Sequence, residues 1–227
     1  MNIFRRIFRR LFLGSEAYQA AEAEKHTKRL AARAYAQRKR LEKAAKTLKE
    51  AHQASTGTFI IADLETTGLS SKAEILELAA IKADATGVVL EEMSLLVRPR
   101  RGIPADIVRL TGITPAMVRA RGIRIEEAFP RFVDFCGTHP VFFHNAGFDK
   151  RFVLAAADAL GYVFENPVLC TLKVARAAWP ELPSHKLAVL AQHIGAPAPT
   201  HRGLDDVKAT LQVLLAARRE AAQRLAA

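Results

Sequence analysis

Two acidic residues stand at the end of an apolar segment, where the run from Phe59 to Ile61 leads to Asp63 and Glu65. The apolar run predicts a buried strand, and side chains two apart on a strand point to the same face. Two neighbouring carboxylates repel each other unless a cation lies between them. A ligand set made only of oxygen favours the hard cations Mg²⁺ and Mn²⁺. The pair therefore indicates a metal site, although acidic pairs at exposed strand ends are also common.

Another acidic residue, Asp149, follows a second short apolar segment. That segment ends at His144 and Asn145, and a helix is predicted to begin at Gly147. Asp149 would then lie in the first turn of the helix, where the helix dipole favours negative charge. The dipole alone accounts for an acid at this position, so Asp149 indicates a functional site only in combination with the other acids.

A histidine and an acid five residues apart open the last predicted helix. His201 precedes that helix, and Asp206 lies near its first turn, with Asp205 as the neighbouring alternative. An imidazole ordinarily has a pKa of about 6.5 and can accept a proton from water near neutral pH. A histidine before a helix is more often a surface or capping residue, so this spacing is weak on its own.

Taken together, the three segments resemble the DnaQ-like exonucleases of the DEDDh class, which include the proofreading epsilon subunit of bacterial DNA polymerase III. The motifs that carry the resemblance are DLETTG from Asp63, HNAGFD from His144 and HRGLDD from His201. The segments GITPAMV and KLAVLAQHIG, at 112–118 and 186–195, also look like the family, and the resemblance spans residues 58–215.

Three positions depart from the family pattern. Gly203 and Val207 stand where alanine is frequent in the family, and Thr111 stands where a histidine is common. None of the three departures removes a catalytic group. Val207 would alter packing behind Asp206, so it concerns the fine geometry of the site.

The resemblance implies an α/β fold of the RNase H-like type, with a mixed central sheet flanked by helices. It also implies two divalent cations, Mg²⁺ or Mn²⁺, held by carboxylates, with a histidine as general base. The implied metal ligands are Asp63, Glu65, Asp149 and Asp206, and the implied base is His201. Two such cations about 3.5–4 Å apart can activate a water molecule and stabilise the leaving oxygen of a phosphodiester.

The predicted substrate contacts surround these carboxylates and are Thr66, Thr67, Gly68, Leu69, Asn145 and Phe148. Backbone N–H groups of Thr66 and Thr67 would meet the terminal 3′-hydroxyl, and Gly68 would let the backbone approach closely. Leu69 and Phe148 would contact the last base, with core packing as the alternative for both. Asn145 would either bond the substrate or cap the following helix.

Positive charge is concentrated in the first quarter of the chain. Of a net charge of +11, residues 1–56 hold 14 Lys and Arg against 5 Asp and Glu. We interpret 1–56 as a basic helical extension and 57–227 as the exonuclease domain. Within the extension, residues 1–13 alternate apolar and arginine side chains, typical of a helix on an anionic membrane surface. Residues 16–54 predict a long charged helix, which could be a solvated spacer, a partner contact or a grip on nucleic-acid phosphates.

Composition sets the expected compartment and partners. The two cysteines, Cys136 and Cys170, show no metal-ligand spacing and favour a reducing compartment. No apolar run reaches the length of a membrane span, so we expect a cytoplasmic protein, with peripheral membrane association left open. The predicted substrate is the single-stranded 3′ end of DNA, with RNA as the alternative, and a DNA polymerase is a candidate partner. The competing function is an inactive polymerase- or membrane-associated adaptor.

Overall fold

The computed structural model describes residues 15–226. The amphipathic helix predicted over residues 1–13, together with its membrane contact, lies outside the described residues. Contacts divide the chain into two compact units between Ala45 and Lys46. Of the described helices, none is long and apolar enough to cross a membrane.

A single long helix, α1 (Ser15–Ala54), opens the described chain. In the part of this helix that belongs to the first unit, almost all side chains are exposed. Several of them form ion pairs one turn apart, such as Lys28 with Glu24. The end of the helix is different, because Ala51 is buried among core residues of the second unit. The boundary predicted between residues 56 and 57 stays a prediction, and the last turns of α1 contribute to the core of the second unit.

Five strands form one mixed sheet in the order β3-β2-β1-β4-β5. Strand β1 pairs antiparallel with β2, which pairs antiparallel with β3, whereas β4 and β5 continue the sheet in parallel. The strands are β1 (Phe59–Thr66), β2 (Ile75–Ala83), β3 (Val89–Leu96), β4 (Val141–Phe143) and β5 (Val168–Cys170). The central position of β1 places its C-terminal end in the middle of the sheet edge.

Helices cover both faces of this sheet. They are α2 (Ala105–Thr111), α3 (Pro115–Arg121), α4 (Ile125–Cys136), α5 (Gly147–Leu160), α6 (Thr171–Ala178), α7 (Leu187–His193) and α8 (Gly203–Ala226). Alternate residues of β1 enter opposite cores: Ile61 packs in the cluster that contains Leu214 of α8, and Ile60 packs in the cluster that contains Phe129 of α4. This alternation follows the two-residue period of a strand buried on both faces. The predicted α/β class, with a mixed sheet flanked by helices, is confirmed.

The sequence predicts strands over 58–64, 75–83, 88–97 and 141–144, and helices over 105–110, 125–135, 147–160, 187–194 and 204–225. Three elements were not predicted, namely α3, β5 and α6. Helix α3 has a recognisable start, because Thr114 caps it by accepting the Met117 N–H at 3.2 Å and Pro115 occupies its first turn. Strand β5 has only three residues and exists through its pairing with β4. Such a pairing has no local sequence signal.

Candidate active site

Three elements bring the four predicted carboxylates to one cleft. Asp63 and Glu65 lie on the same face of β1 near its C-terminal end, as their spacing predicts. Helix α5 carries Asp149 in its first turn, and α8 carries Asp206 in its first turn. All four line the same cleft, which also contains His201.

The carboxylates of this cluster disfavour each other's ionised form. Burial raises the pKa of Asp63 well above its usual range, and nearby Asp149, Glu65 and Asp206 raise it further. Burial also raises the pKa of Glu65 to about 8, with Asp206 as the largest electrostatic contribution. The pKa values of Asp149 and Asp206 are likewise raised by burial, and backbone N–H groups oppose the shift. A site of this kind fits divalent cations, because oxygen ligands are abundant and none of the four carboxylates forms an ion pair with a described residue.

Asp206 also organises the loop that carries His201. Its Oδ1 accepts the backbone N–H of Thr200 at 3.0 Å and that of His201 at 3.2 Å. His201 is exposed and has a φ of 57°, in the left-handed region that non-glycine residues rarely adopt. Ligand atoms of Glu65, His201 and Asp206 all lie within 4.8 Å of one another. The imidazole is therefore within reach of the centre of the cluster.

The neighbouring acid, Asp205, has a different environment. It is exposed and accepts the Thr200 hydroxyl at 2.6 Å, whereas Asp206 is buried and lines the cleft. Successive helix residues point about 100° apart, so only one of these two acids faces the cluster.

We expect Asp206→Asn to reduce nucleotide release by about 10²-fold or more, because it removes one negative charge from the proposed cation site. Asp205→Asn should change the rate by about twofold or less, as substitutions of exposed side chains usually do. Turnover of both variants on one single-stranded substrate checks the assignment. The opposite ranking would show that the third motif has been aligned one residue out of register, and that Asp205 is the metal ligand.

A further acid near the cluster, Glu77 on β2, was not predicted from the sequence. It is 1% exposed and lies directly opposite Glu65 in the strand register. Its Oε1 accepts the Ser94 hydroxyl at 2.7 Å, and its Oε2 accepts the Gly203 N–H at 3.2 Å. A glutamate inside the otherwise apolar strand segment ILELAAI was the available signal, since a buried acid needs partners.

The start of α8 lies very close to β2. A Cβ atom added to Gly203 would approach the Cβ of Ala79 to 2.3 Å, which no packed structure accommodates without a shift. Glycine therefore fits at position 203, where the alanine that is frequent in the family would clash with Ala79. The departure at Val207 is accommodated too, because that side chain is fully buried in the core.

Most of the predicted substrate contacts line the cleft, and they are Thr66, Gly68, Leu69, Asn145 and Phe148. Thr67 is not among its lining residues. Its backbone N–H donates to the Glu74 carbonyl at 2.8 Å, and its hydroxyl accepts the Glu74 N–H at 2.9 Å. The predicted contact between the Thr67 N–H and a 3′-hydroxyl stays a prediction, and in this structure that N–H has a partner in the turn.

The cleft walls carry apolar side chains that are open to solvent. Leu69 is 77% exposed, which excludes the core-packing interpretation for this residue. Phe148 is half-buried, and its ring centroid lies 5.1 Å from the ring centroid of Phe152. The guanidinium of Arg151 lies 4.9 Å from the ring centroid of Phe148. The Arg151 side chain also donates to the Leu69 carbonyl, so it links the two walls.

Asn145 does not cap the helix that follows. Helix α5 has Ala146 at its N-cap and no side-chain cap hydrogen bond. Asn145 is exposed with a φ of 65°, a conformation that asparagine tolerates better than most residues. Asn145 therefore lines the cleft, and its side chain forms no capping hydrogen bond at the helix start.

Two further lining residues were not anticipated, Leu110 of α2 and His144 at the end of β4. Leu110 is 51% exposed, so it adds a third open apolar side chain to the cleft. Burial lowers the pKa of His144 to about 4, which keeps its ring neutral. The ring lies 3.1 Å from the Thr171 hydroxyl and 3.1 Å from the His185 carbonyl, and so joins β4 to two neighbouring segments.

The raised pKa values give the metal-free protein a defined pH dependence. Since the Glu65 pKa is about 8 when folded and about 4.3 when unfolded, the folded chain binds more protons between these values. The contribution of Glu65 to stability is therefore present below about pH 4 and is lost as the pH rises through about 8. In chelator, we expect Glu65→Gln to lose less thermal stability than the unsubstituted protein between pH 5 and pH 8. Equal losses in the two proteins would contradict the burial of a protonated Glu65.

Comparison with known proteins agrees with this geometry. The model of the RNase_T family, described as Exonuclease, matches residues 60–214. The chain is 44% identical over 168 residues to a Mycobacterium tuberculosis protein that has the provisional name bifunctional exonuclease/endonuclease, covering 69% of this chain and 26% of that protein. It is 37% identical over 173 residues to the DNA polymerase III subunit epsilon of Aquifex aeolicus, covering 75% of this chain and 85% of the subunit.

A solved structure supports the same relationship. Exonuclease X in complex with 5′ overhanging duplex DNA is 28% identical, with a TM-score of 0.59, and the similarity covers 71% of this chain and 91% of that one. The fold and the carboxylate cleft define the class of DnaQ-like exonuclease domains with an RNase H-like sheet. The chain belongs to the RNase_T exonuclease family. It spans about a quarter of the length of the Mycobacterium relative, so the activity of the whole protein is treated below as a proposal.

Proposed function

We propose that this protein is a 3′→5′ exonuclease that releases nucleoside monophosphates one at a time from DNA ends. The observation that carries the proposal is the convergence of Asp63, Glu65, Asp149 and Asp206 in one cleft, with His201 at its open side. These groups match the needs of phosphodiester hydrolysis, which requires a water nucleophile, a base and stabilisation of developing charge.

The four carboxylates would hold two divalent cations, Mg²⁺ or Mn²⁺. When bound, such cations polarise the attacking water and the phosphate and stabilise negative charge on the leaving oxygen. The raised pKa of Glu65, about 8, fits this assignment, because a nearby cation favours the ionised form of every acid in the cluster.

His201 would act as general base in the hydrolytic step. Its ring nitrogen accepts a proton from water while the water oxygen forms a bond to the phosphorus of the terminal phosphodiester. The bond from phosphorus to the 3′-oxygen of the preceding nucleotide breaks, and that oxygen takes a proton from solvent. The products are a nucleoside 5′-monophosphate and a strand one nucleotide shorter. The exposed position of His201 would let its proton pass to bulk water afterwards.

The cleft walls would select an unpaired strand end. Leu69 and Leu110 are large apolar side chains with more than half of their surface exposed, and Phe148 offers part of its ring. Contacts of this kind with a base contribute about 1–3 kcal/mol and do not depend on sequence. A pocket built in this way would accept any terminal nucleotide.

DNA is the proposed substrate for two reasons. The structure of the similar Exonuclease X was solved in complex with 5′ overhanging duplex DNA, and another similar protein is a DNA polymerase III subunit. RNA stays the alternative, since tolerance of a 2′-hydroxyl depends on details of the pocket. An inactive adaptor is disfavoured by the intact set of reactive groups. A polymerase partner and a cytoplasmic location stay predictions.

The experiment is a comparison of labelled single-stranded DNA, overhanging duplex DNA and RNA of the same sequence, each with Mg²⁺ and with Mn²⁺. We expect the highest kcat/KM on single-stranded or overhanging DNA. A preference for RNA would overturn the choice of substrate but not the reaction. Absence of hydrolysis with every substrate and both metals would favour the adaptor.

A further inference from the structure

The long helix α1 carries an ordered row of basic side chains that the reaction does not use. Arg29, Arg33, Arg40 and Lys43 form no ion pair or side-chain hydrogen bond with any residue in the described part of the chain. At about 100° per residue, the four fall on one face about 80° wide. We call these four residues the basic stripe. All of them lie within the first compact unit.

Most acids of this helix segment lie away from the basic stripe. Glu24 and Glu42 project roughly opposite the stripe, and they pair with Lys28 at 2.6 Å and with Lys39 at 3.0 Å. Glu22 is the exception, because it falls on the same face as the stripe and lies 3.6 Å from Lys25. From Arg29 to Lys43, the stripe presents to solvent positive charge that is not paired with an acid among the described residues.

The length of the basic stripe fits a polyanion. With a rise of about 1.5 Å per residue, Arg29 and Lys43 lie about 21 Å apart, a length over which one strand of B-form DNA presents about six phosphates. Arginine and lysine contacts to phosphates are independent of sequence. Such contacts suit an enzyme that shortens strands of any sequence.

A membrane surface fits the stripe less well. Helices that lie in the lipid interface need a continuous apolar face next to the basic one. The exposed large apolar residues of α1 are instead spread around its axis, with Leu30 and Leu41 on one side and Tyr35 about 120–140° away. Tyr35 therefore lies outside any single apolar face that Leu30 and Leu41 could form.

We infer that the basic stripe binds the phosphate backbone of single-stranded DNA and thereby raises the affinity of the protein for long strands. This inference rests on the proposed function, because the partner it assigns is the substrate of that reaction. Its consequence is an affinity that rises with strand length and falls with salt, whereas turnover on short oligonucleotides is independent of the stripe.

The test compares two quadruple variants of the full chain with equal changes in charge. The stripe variant carries Arg29→Gln, Arg33→Gln, Arg40→Gln and Lys43→Gln. The control carries Lys28→Gln, Arg38→Gln, Lys39→Gln and Lys46→Gln, which are the cations already paired with acids of the helix. Binding to a dT series of increasing length is measured by anisotropy in Ca²⁺, over a range of salt concentrations.

For the longest strands, we expect the stripe variant to reduce the slope of log affinity against log salt by about 3, since each phosphate contact on a single strand contributes about 0.7. The control variant should change this slope by less than half as much. Equal effects of the two variants would overturn the inference, as would loss of binding to anionic vesicles with DNA binding unchanged. Binding is measured without cleavage, so the two proposals can fail separately. If the protein shows no nuclease activity but the stripe variant still lowers the salt slope more than the control does, the exonuclease proposal is wrong and the inference about the basic stripe stands.

A different observation concerns Glu77, whose carboxylate reaches the segment immediately after His201. It accepts the Gly203 N–H at 3.2 Å and lies 3.6 Å from the Arg202 Nε, while Ser94 holds its other oxygen at 2.7 Å. Asp206 fixes the backbone on the other side of the same loop. We propose that Glu77 is a positioning residue that acts on the reaction through His201.

A double-mutant cycle tests this role. Glu77→Leu should lower kcat by about 10²-fold with little change in KM, whereas Glu77→Gln, which retains an acceptor oxygen, should recover most of the loss. In a His201→Ala background, Glu77→Leu should have almost no further effect, because the two residues would act as a unit. Additive effects would overturn the proposal. If Glu77→Leu does not fold, Ser94→Ala, which removes the hydroxyl that donates to Glu77, takes its place in the cycle with His201→Ala, and additivity decides in the same way.

Discussion

Replacement of Asp63 by alanine is expected to lower the rate of nucleotide release by about 10³-fold or more. Burial raises the pKa of Asp63 in the absence of a cation, and the other acids of the site, Asp149, Glu65, Asp206 and Glu77, raise it further. Loss of this ligand would remove several kcal/mol of charge stabilisation, and each 1.4 kcal/mol corresponds to a tenfold change in rate. Steady-state release of mononucleotides in Mg²⁺ measures the effect.

The fold should survive this substitution. Removing one of several crowded acids relieves repulsion, so Asp63→Ala should unfold at an equal or higher temperature than the unsubstituted protein at pH 8 in chelator. Asp158→Ala is a matched control, because Asp158 is an exposed acid on α5 and does not line the cleft. Near-normal activity of a folded Asp63→Ala protein would refute the carboxylate site.

Replacement of His201 by alanine is expected to lower kcat by about 10²–10⁴-fold, the range for a positioned acid–base group. Binding of single-stranded DNA in Ca²⁺ should change little, because the proposed role is proton transfer. His52→Ala is the matched control, since His52 is an exposed histidine near the end of α1.

Two other outcomes would reassign His201. Lost DNA binding with normal turnover would make it a substrate contact. A weaker apparent affinity for Mg²⁺, with kcat restored at high Mg²⁺, would make it a metal ligand, which its proximity to Glu65 and Asp206 also permits.

The sequence predicted the site better than it predicted the smaller elements of the fold. Asp63 and Glu65 could be placed on one face because a strand has a fixed period. Asp149 and Asp206 were weak on their own and were assigned through the resemblance to the family, which also favoured Asp206 over Asp205. The structure adds that Asp206 is buried and lines the cleft. Strand β5 and helix α6 could not be placed, since β5 exists only through three pairings with β4.

The contacts around the site were harder to predict than its acids. The Thr67 N–H was assigned to substrate because the turn was visible in the sequence, but its partner, Glu74, lies seven residues later. Glu77 was not singled out from the sequence, and the structure shows that it is buried in β2, which is buried on both faces. Partnerships of this kind depend on tertiary contacts, which a local pattern does not contain.

The direction and stepwise nature of hydrolysis test the central claim most directly. Single-stranded DNA labelled at the 5′ end is incubated with the protein in Mg²⁺, and the same strand labelled at the 3′ end is followed in parallel. The account predicts a ladder of products shortened one nucleotide at a time from the first strand, and immediate release of a labelled mononucleotide from the second. Both reactions should stop in chelator and with Asp63→Ala. Early release of the 5′ label as a mononucleotide, or internal cuts without a ladder, would contradict a 3′→5′ exonuclease.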